Sequence, residues 1–139
     1  MSNSSSQDFL IEHNEFMKHN GVSVVAVTSD TAKTTLTVAP QSLNPYGIVH
    51  GGALFTLMDV AAGVAARADG RRYVTLDSSV HFLKSVGRGL LYGTASVVHR
   101  GRSVCVVDTE VTAQEGVLLC RGSFTMFCLN DTADVPSQG

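Results

Sequence analysis

Asp59 lies in a stretch that is otherwise apolar, with Phe55, Met58, Val60, Ala62 and Gly63 around it. Taking an isolated carboxylate out of water is costly. An acid kept at such a place is a candidate general base or nucleophile. The competing reading puts Asp59 on an exposed stripe or in a bond to a loop backbone. Just upstream stand His50, Gly51 and Gly52. If a helix begins at these glycines, its first four N–H groups lack intrahelical partners and carry about half a positive charge. Glycines let another group approach that end closely. The helix end is then a ready donor to an oxygen on which negative charge develops.

These residues need a helix to carry them. Residues 51–68 are apolar on nearly every side, which marks a buried helix. Eighteen residues at ~1.5 Å each reach about 27 Å, enough to cross a small domain. Asp69-Gly70 ends it. Residues 40–49 hold Asn44-Pro45-Tyr46-Gly47, a turn signal. Upstream, 22–28 and 31–39 read as strands joined at Ser29-Asp30. Residues 7–19 read as one short amphipathic helix, with Phe9, Leu10, His13, Phe16 and Met17 at helical spacing, Ser6 as N-cap and Gly21 as stop. Downstream, 71–86, 90–100, 102–115 and 117–129 read as strands punctuated by Gly87-Arg88-Gly89, Gly101 and Glu115-Gly116. Residues 1–6 and 130–139 are expected to be flexible. The order is helix, two strands, long buried helix, four strands. That is an α+β domain in which an antiparallel sheet wraps one central helix.

The composition fits one domain spanning 1–139. Apolar residues make up 44% and charged residues 16%, which excludes a disordered, solvating chain. Nineteen Val and twelve Thr against three Pro favour strands. A net charge of −2 argues against nucleic acid or an anionic membrane as partner. Cys105, Cys120 and Cys128 are odd in number and show no ligand spacing, so neither a disulfide framework nor a structural metal site is expected. Buried, reduced thiols in a cytoplasmic protein are the reading that remains. Residues 1–7 are rich in Ser and Asn and do not resemble a basic or apolar targeting signal, so none is expected there. The run 51–66 is too short, and interrupted by Asp59, to span a membrane.

Asn44, then His50-Gly51-Gly52 six residues on, then Asp59 nine after the His, resembles the hotdog-fold acyl-CoA thioesterases. The likeness is greatest to the phenylacetate-degradation branch. The segment from Thr75 through Asp77, Ser78, Ser79, Val80, His81 and Phe82 to Lys84 resembles that branch's second core strand, and Gly101-Arg102 its strand-turn signature. The resemblance covers roughly residues 35–129. The sister branch, of 4-hydroxybenzoyl-CoA type, carries Glu and Gln where this chain has Asp59 and Asn44.

The resemblance implies a hotdog fold and hydrolysis of an acyl- or aryl-CoA thioester, with no cofactor or metal. Gly51 N–H would polarise the thioester carbonyl. Asp59 would activate water or attack the carbonyl itself. Asn44 and Thr75 would orient water or thioester, and His50 would steady the loop. Gly52, Leu54, Phe55, Met58 and Phe82 are candidates to line the substrate slot. Arg100 and Arg102 are the foremost candidates for the phosphates of coenzyme A, with Arg72, Lys84 and Arg88 behind them. Each of these has a bland alternative. His50 anchors a loop, Thr75 is a good strand former, and basic residues solvate strand ends. A non-catalytic acyl-CoA-binding module and a hotdog dehydratase or hydratase stand as the other functions. The dehydratases carry a His-Phe-Pro-Gly-like segment that is absent here.

Two points of geometry follow. Strand alternation puts Val74, Leu76, Val80 and Phe82 on one face and Thr75, Asp77, Ser79 and His81 on the other. Thr75 then points away from its own helix unless a bulge or a second subunit re-aims it. Gly51 and Asp59 are eight residues apart on one helix, ~12 Å along its axis. One reacting carbonyl cannot reach both. The expectation is a homodimer or dimer of dimers, with Gly51 and Asn44 from one chain and Asp59 and Thr75 from the other.

Overall fold

The computed structural model describes residues 3–130. The chain runs α1 (Asn3–Glu12), α2 (Glu15–His19), β1 (Val22–Val27), β2 (Thr31–Thr37), α3 (Gly51–Arg67), β3 (Arg72–Phe82), β4 (Leu90–Arg100), β5 (Val104–Ala113) and β6 (Leu118–Asn130). All six strands form one antiparallel sheet in the order β1-β2-β4-β5-β6-β3. The sheet curls around α3, as the α+β reading expects.

Helix α3 is buried because its sequence offers apolar or small residues on most of its faces. Eleven of its seventeen residues are buried, from Leu54 to Ala66. Burying each large aliphatic side chain contributes roughly 1.5–3 kcal/mol. The small residues let the sheet come close. Gly93 of β4 is one contact point, since a Cβ there would lie 2.9 Å from the Leu57 carbonyl oxygen. Thr34 of β2 donates from Oγ1 to that same carbonyl at 2.9 Å, pinning the middle of the helix to the sheet.

The N-terminal segment departs from the single helix expected over 7–19. It is two helices, and the first begins at Asn3, before the anticipated cap Ser6. The cause of the break is Asn14, whose Oδ1 accepts from Met17 N at 3.0 Å and starts α2. The expected apolar face is divided as a result. Met17 is buried, whereas Phe9 and Phe16 stand 59% and 67% exposed. Gly21 does follow the segment, with φ +76° in the left-handed region. The third strand stops at Phe82 rather than running to 86, and the fifth begins at Val104 rather than 102. The expected tail falls mostly on 131–139, outside the described residues.

One irregularity decides the site. Along β3, Tyr73 faces Cys128 and Thr75 faces Met126, but Asp77 faces Thr125, so Leu76 is an extra residue. Val80 and Phe82 then face Gly122 and Cys120. Cys128, Met126 and Cys120 are all buried. Directly opposed residues share a face, so Tyr73, Thr75, Val80 and Phe82 all lie on the helix side. The bulge shifts the alternation by one residue and re-aims Thr75 within its own chain.

Candidate active site

The loop before α3 is built by Asn44. Its Oδ1 accepts from Tyr46 N at 2.9 Å and Ile48 N at 3.3 Å, and Gly47 takes φ +83°. Leu43 and Val49 bridge across the loop, and Val49 N donates to Val86 O at 2.8 Å. With its oxygen held in the turn, the Asn44 amide NH₂ has no acceptor among the described residues.

The helix start uses up most of its own donors. His50 is the N-cap, and its Nδ1 accepts from Gly52 N at 2.7 Å. That contact requires Nδ1 to be unprotonated. Ala53 N and Leu54 N both donate to His50 O, at 2.9 and 3.2 Å. Of the first four N–H groups, only that of Gly51 has no acceptor among the described residues. His50 is therefore a cap that leaves one donor free, and Gly52 N–H is occupied by that cap. Gly51 opens into a cavity of about 330 Å³, lined among others by Asn44, Leu54, Phe82 and Lys84. The Phe82 ring covers Gly51, 3.7 Å from where a Cβ would stand.

Asp59 lies two turns further along α3, half-buried. Thr75 Oγ1 donates to its Oδ1 at 2.6 Å. Thr75 is also steadied against Met126 Sδ at 3.6 Å. Asp59 thus bonds a strand side chain rather than a loop backbone, with part of its surface open to solvent. Its second oxygen has no partner among the described residues. The structure brings the residues together as two groups. Asn44, His50, Gly51 and Phe82 form one, and Asp59 with Thr75 forms the other, separated by roughly 12 Å of helix.

Several expected contacts go elsewhere. Met58 is fully buried, with Sδ 3.9 Å from Cys120 Sγ, because it points into the core side of α3. It is packing, not substrate lining. Phe55 is half-buried and leans on Phe124 with ring centres 5.3 Å apart. All three cysteines are free and buried, and burial pushes the Cys120 thiol up to about 12.

Arg100 also has a different task from the one expected. Its Nη1 donates to Ala66 O at 2.8 Å and pairs with Asp69 Oδ2 at 2.7 Å. A cation that bonds the last carbonyls of a helix meets the negative end of its dipole. Asp69 gathers Arg71 Nε at 2.9 Å and the Tyr73 hydroxyl at 2.6 Å as well. Burial alone would raise the Asp69 carboxyl. The hydrogen bonds from Tyr73 and Arg71, with the Arg100 charge, outweigh that and hold it below its usual range. Arg102 keeps an exposed side chain, and among the described residues it offers only its carbonyl, to Arg71 Nη1. The basic residue beside the Gly51 donor is Lys84 instead.

Arg67 is a residue that composition does not mark. Its signal in the sequence is spacing: Asp59, Gly63 and Arg67 recur every four residues on one face of α3. A further polar cavity, about 450 Å³, opens on the outer sheet face between Ser79, Asp108, Glu110 and Arg121. It includes neither Asp59 nor Gly51.

Residues 46–120 match the model of a family described as Thioesterase superfamily. The acyl-coenzyme A thioesterase PaaI of Escherichia coli K12 is 33% identical over 116 residues, 81% of this chain and 83% of that protein. The structure of the E. coli PaaI protein from the phenylacetic acid degradation operon superposes with a TM-score of 0.88 at 26% identity, covering 94% of this chain and 95% of that one. A hypothetical thioesterase protein of Streptococcus pneumoniae TIGR4, solved with coenzyme A, superposes with a TM-score of 0.76 at 34% identity, covering 84% and 99%. Two variant structures under the same description, each 36% identical, replace an Asp and a Thr sixteen residues after it by Ala. Sixteen residues also separate Asp59 from Thr75.

Proposed function

Since this chain belongs to the Thioesterase superfamily and has the hotdog fold of a thioester hydrolase, we propose that it hydrolyses an acyl- or aryl-CoA thioester to free acid and coenzyme A. Asp59 acts as general base or nucleophile, and Gly51 N–H receives the carbonyl oxygen. The observation that carries this reading is the Thr75–Asp59 contact, which holds one carboxylate oxygen and leaves the other for water or for the carbonyl carbon.

In the general-base form, Asp59 takes a proton from water as the water oxygen bonds to the thioester carbon. The carbonyl oxygen becomes an oxyanion at the Gly51 N–H, the single donor His50 leaves free. Collapse of the tetrahedral adduct breaks the C–S bond. The proton held by Asp59 balances the departing thiolate. Asn44 lines the same cavity as Gly51, and its amide NH₂ orients the thioester there.

The two groups of residues meet through a second copy of the chain. The β3 strand is eleven residues long and lies at a sheet edge, with Val74, Leu76 and Phe82 exposed. An edge of that kind is a template for pairing with another strand. Two-fold pairing along β3 runs the partner's α3 antiparallel and lays its Gly51 near this chain's Asp59, twice per dimer. A dimer of dimers is compatible with this unit. Among the described residues no helix is long and apolar enough to cross a membrane. Free, buried thiols support a cytoplasmic setting.

The test is a hydrolysis screen over short, medium and aromatic acyl-CoAs, reading the released thiol. Turnover by the unmodified chain and its loss in Asp59→Asn are expected. An unmodified chain that binds acyl-CoA without turnover would return the reading to a binding module.

A further inference from the structure

Past Asp59, toward the C-terminal end of α3, lies a cavity of about 280 Å³ lined by Leu10, Asn14, Arg67, Arg72, Tyr73 and Leu129. Arg67 is its distinctive member. Gly63 gives it room to fold back along the helix: a Cβ at Gly63 would lie 3.0 Å from Arg67 Nη1. Positions four apart on a helix have Cβ atoms ~5–6 Å apart, so Nη1 lies within roughly 9 Å of Asp59 Cβ. Burial lowers the pKa of the guanidinium, and the Asp59 carboxylate opposes that.

The arginine is held in place from behind. Its Nε donates to Gln7 Oε1 at 3.0 Å, and the buried Gln7 donates from Nε2 to Val64 O at 2.9 Å. Among the described residues no carboxylate pairs with Arg67, and its Nη1 and Nη2 groups have no acceptor. A guanidinium offers five N–H donors in a planar fork matched to a carboxylate. Here one is used, on a residue that lines the cavity. A partly desolvated cation with idle donors is costly until an anion meets it.

We propose that this cavity receives the far end of the acyl group, and that Arg67 selects acyl-CoA thioesters whose acyl chain ends in a second carboxylate. The inference rests on the placement of the reacting thioester at Asp59. The phosphates of coenzyme A are the wrong anion for this fork. The pantetheine arm between sulfur and phosphate spans about four peptide units, roughly 14 Å extended, and Arg67 is nearer to the reacting carbon than that. Taking ~3 Å for the contact at Asp59 and ~3 Å for the contact at Nη1 from the ~9 Å between Asp59 Cβ and Nη1 leaves about 3 Å in a straight line, and more where the chain bends along the helix face. A spacer of about one to three carbons covers that gap. The substrates are the half-thioesters of short dicarboxylic acids.

The experiment titrates the Asp59→Asn protein, which holds substrate without consuming it, with glutaryl-CoA and pentanoyl-CoA by calorimetry. The two acyl chains have the same length and differ in the distal charge. Glutaryl-CoA is expected to bind about tenfold tighter or more, the effect of charge-assisted hydrogen bonds. Adding Arg67→Met should bring the ratio to about one, and Arg67→Lys, which keeps the charge and loses the fork, should leave it in between. If Arg67→Met does not fold, Gln7→Leu should lower the ratio by releasing Nε. Equal affinities, binding of neither thioester, or a ratio that Arg67→Met leaves unchanged would overturn the proposal. Turnover is measured separately on the unmodified chain. Its failure there counts against the hydrolase reading and leaves the binding ratio to judge Arg67.

Discussion

Thr75 Oγ1 donates to Asp59 Oδ1 at 2.6 Å, from an edge strand onto the buried helix, across a bulge at Leu76. The bond fixes the plane of the carboxylate and leaves one oxygen unengaged. A base is useful only when aimed, and this contact aims it.

Asp59→Asn should lower kcat about 10²–10⁴-fold, the usual worth of general-base assistance. Thr75→Ala keeps the acid and loses its guide. Hydrogen bonds to charged groups are worth about 1.5–3 kcal/mol, so the expected loss is roughly 10- to 100-fold. Steady-state thiol release, with circular dichroism to check folding, measures both. Near-normal turnover in Asp59→Asn would sink the assignment.

Gly51→Pro removes one N–H and little else. Proline is well placed at the first position of a helix, and His50 already has the extended backbone a proline requires before it, at φ −63° and ψ 140°. The variant should fold and be inactive. Co-refolding it with Asp59→Asn creates mixed dimers in which one shared site carries both defects and the other neither. Activity should return to about a quarter of wild type for random pairing. Mixed dimers that form and stay inactive would place both groups within a single chain's site.

Lys84 and Arg100 should separate cleanly. Lys84→Gln, beside the Gly51 cavity, is expected to raise KM for acyl-CoA with kcat little changed, since the nucleotide end is remote from the reacting carbon. Arg100→Gln opens the C-terminal end of α3 and should lower the urea midpoint instead. A KM effect from Arg100 with stability intact would restore it as a phosphate ligand.

Asp69 ties stability to pH. Its carboxyl is held below the ordinary value in the folded chain, so its contribution is full above the unfolded value of about 4 and fades as pH falls through the folded value. Wild type should exceed Asp69→Asn in urea midpoint at neutral pH, and the gap should close in acid. An equal gap at pH 7 and at about pH 2 would mean that the carboxylate charge is not what stabilises this corner.

Much of this molecule is legible in its sequence because the signals are local. The apolar run beginning at Gly51 declares its own burial, and the Val- and Thr-rich segments declare strands whose ends the glycines mark. The Asn44, His50, Gly51 and Asp59 spacing is legible for the same reason. Other features depend on residues distant in the chain. Arg100 caps a helix that ended some thirty residues earlier, which no window of sequence displays. Met58 is one residue from Asp59, yet the helical turn aims it into the core. Asn14 is a recognisable cap whose effect is to divide an apolar stripe that reads as continuous. The bulge at Leu76 has no compositional mark at all. Only the register against β6 reveals it.

That extra residue bears on how such chains can differ in length. Thr75 and Phe82 face the same helix although they are seven positions apart, an odd number, and only a bulge reconciles that with alternation. A relative one residue shorter here would have an even count, a regular strand and the same inward side chains. A gap at this place is therefore silent for the chemistry. It is not silent for assembly, because the kink interrupts the free edge of β3. A straight edge accepts strands along its whole length and invites open-ended addition. A broken one favours a short, closed pairing between two copies.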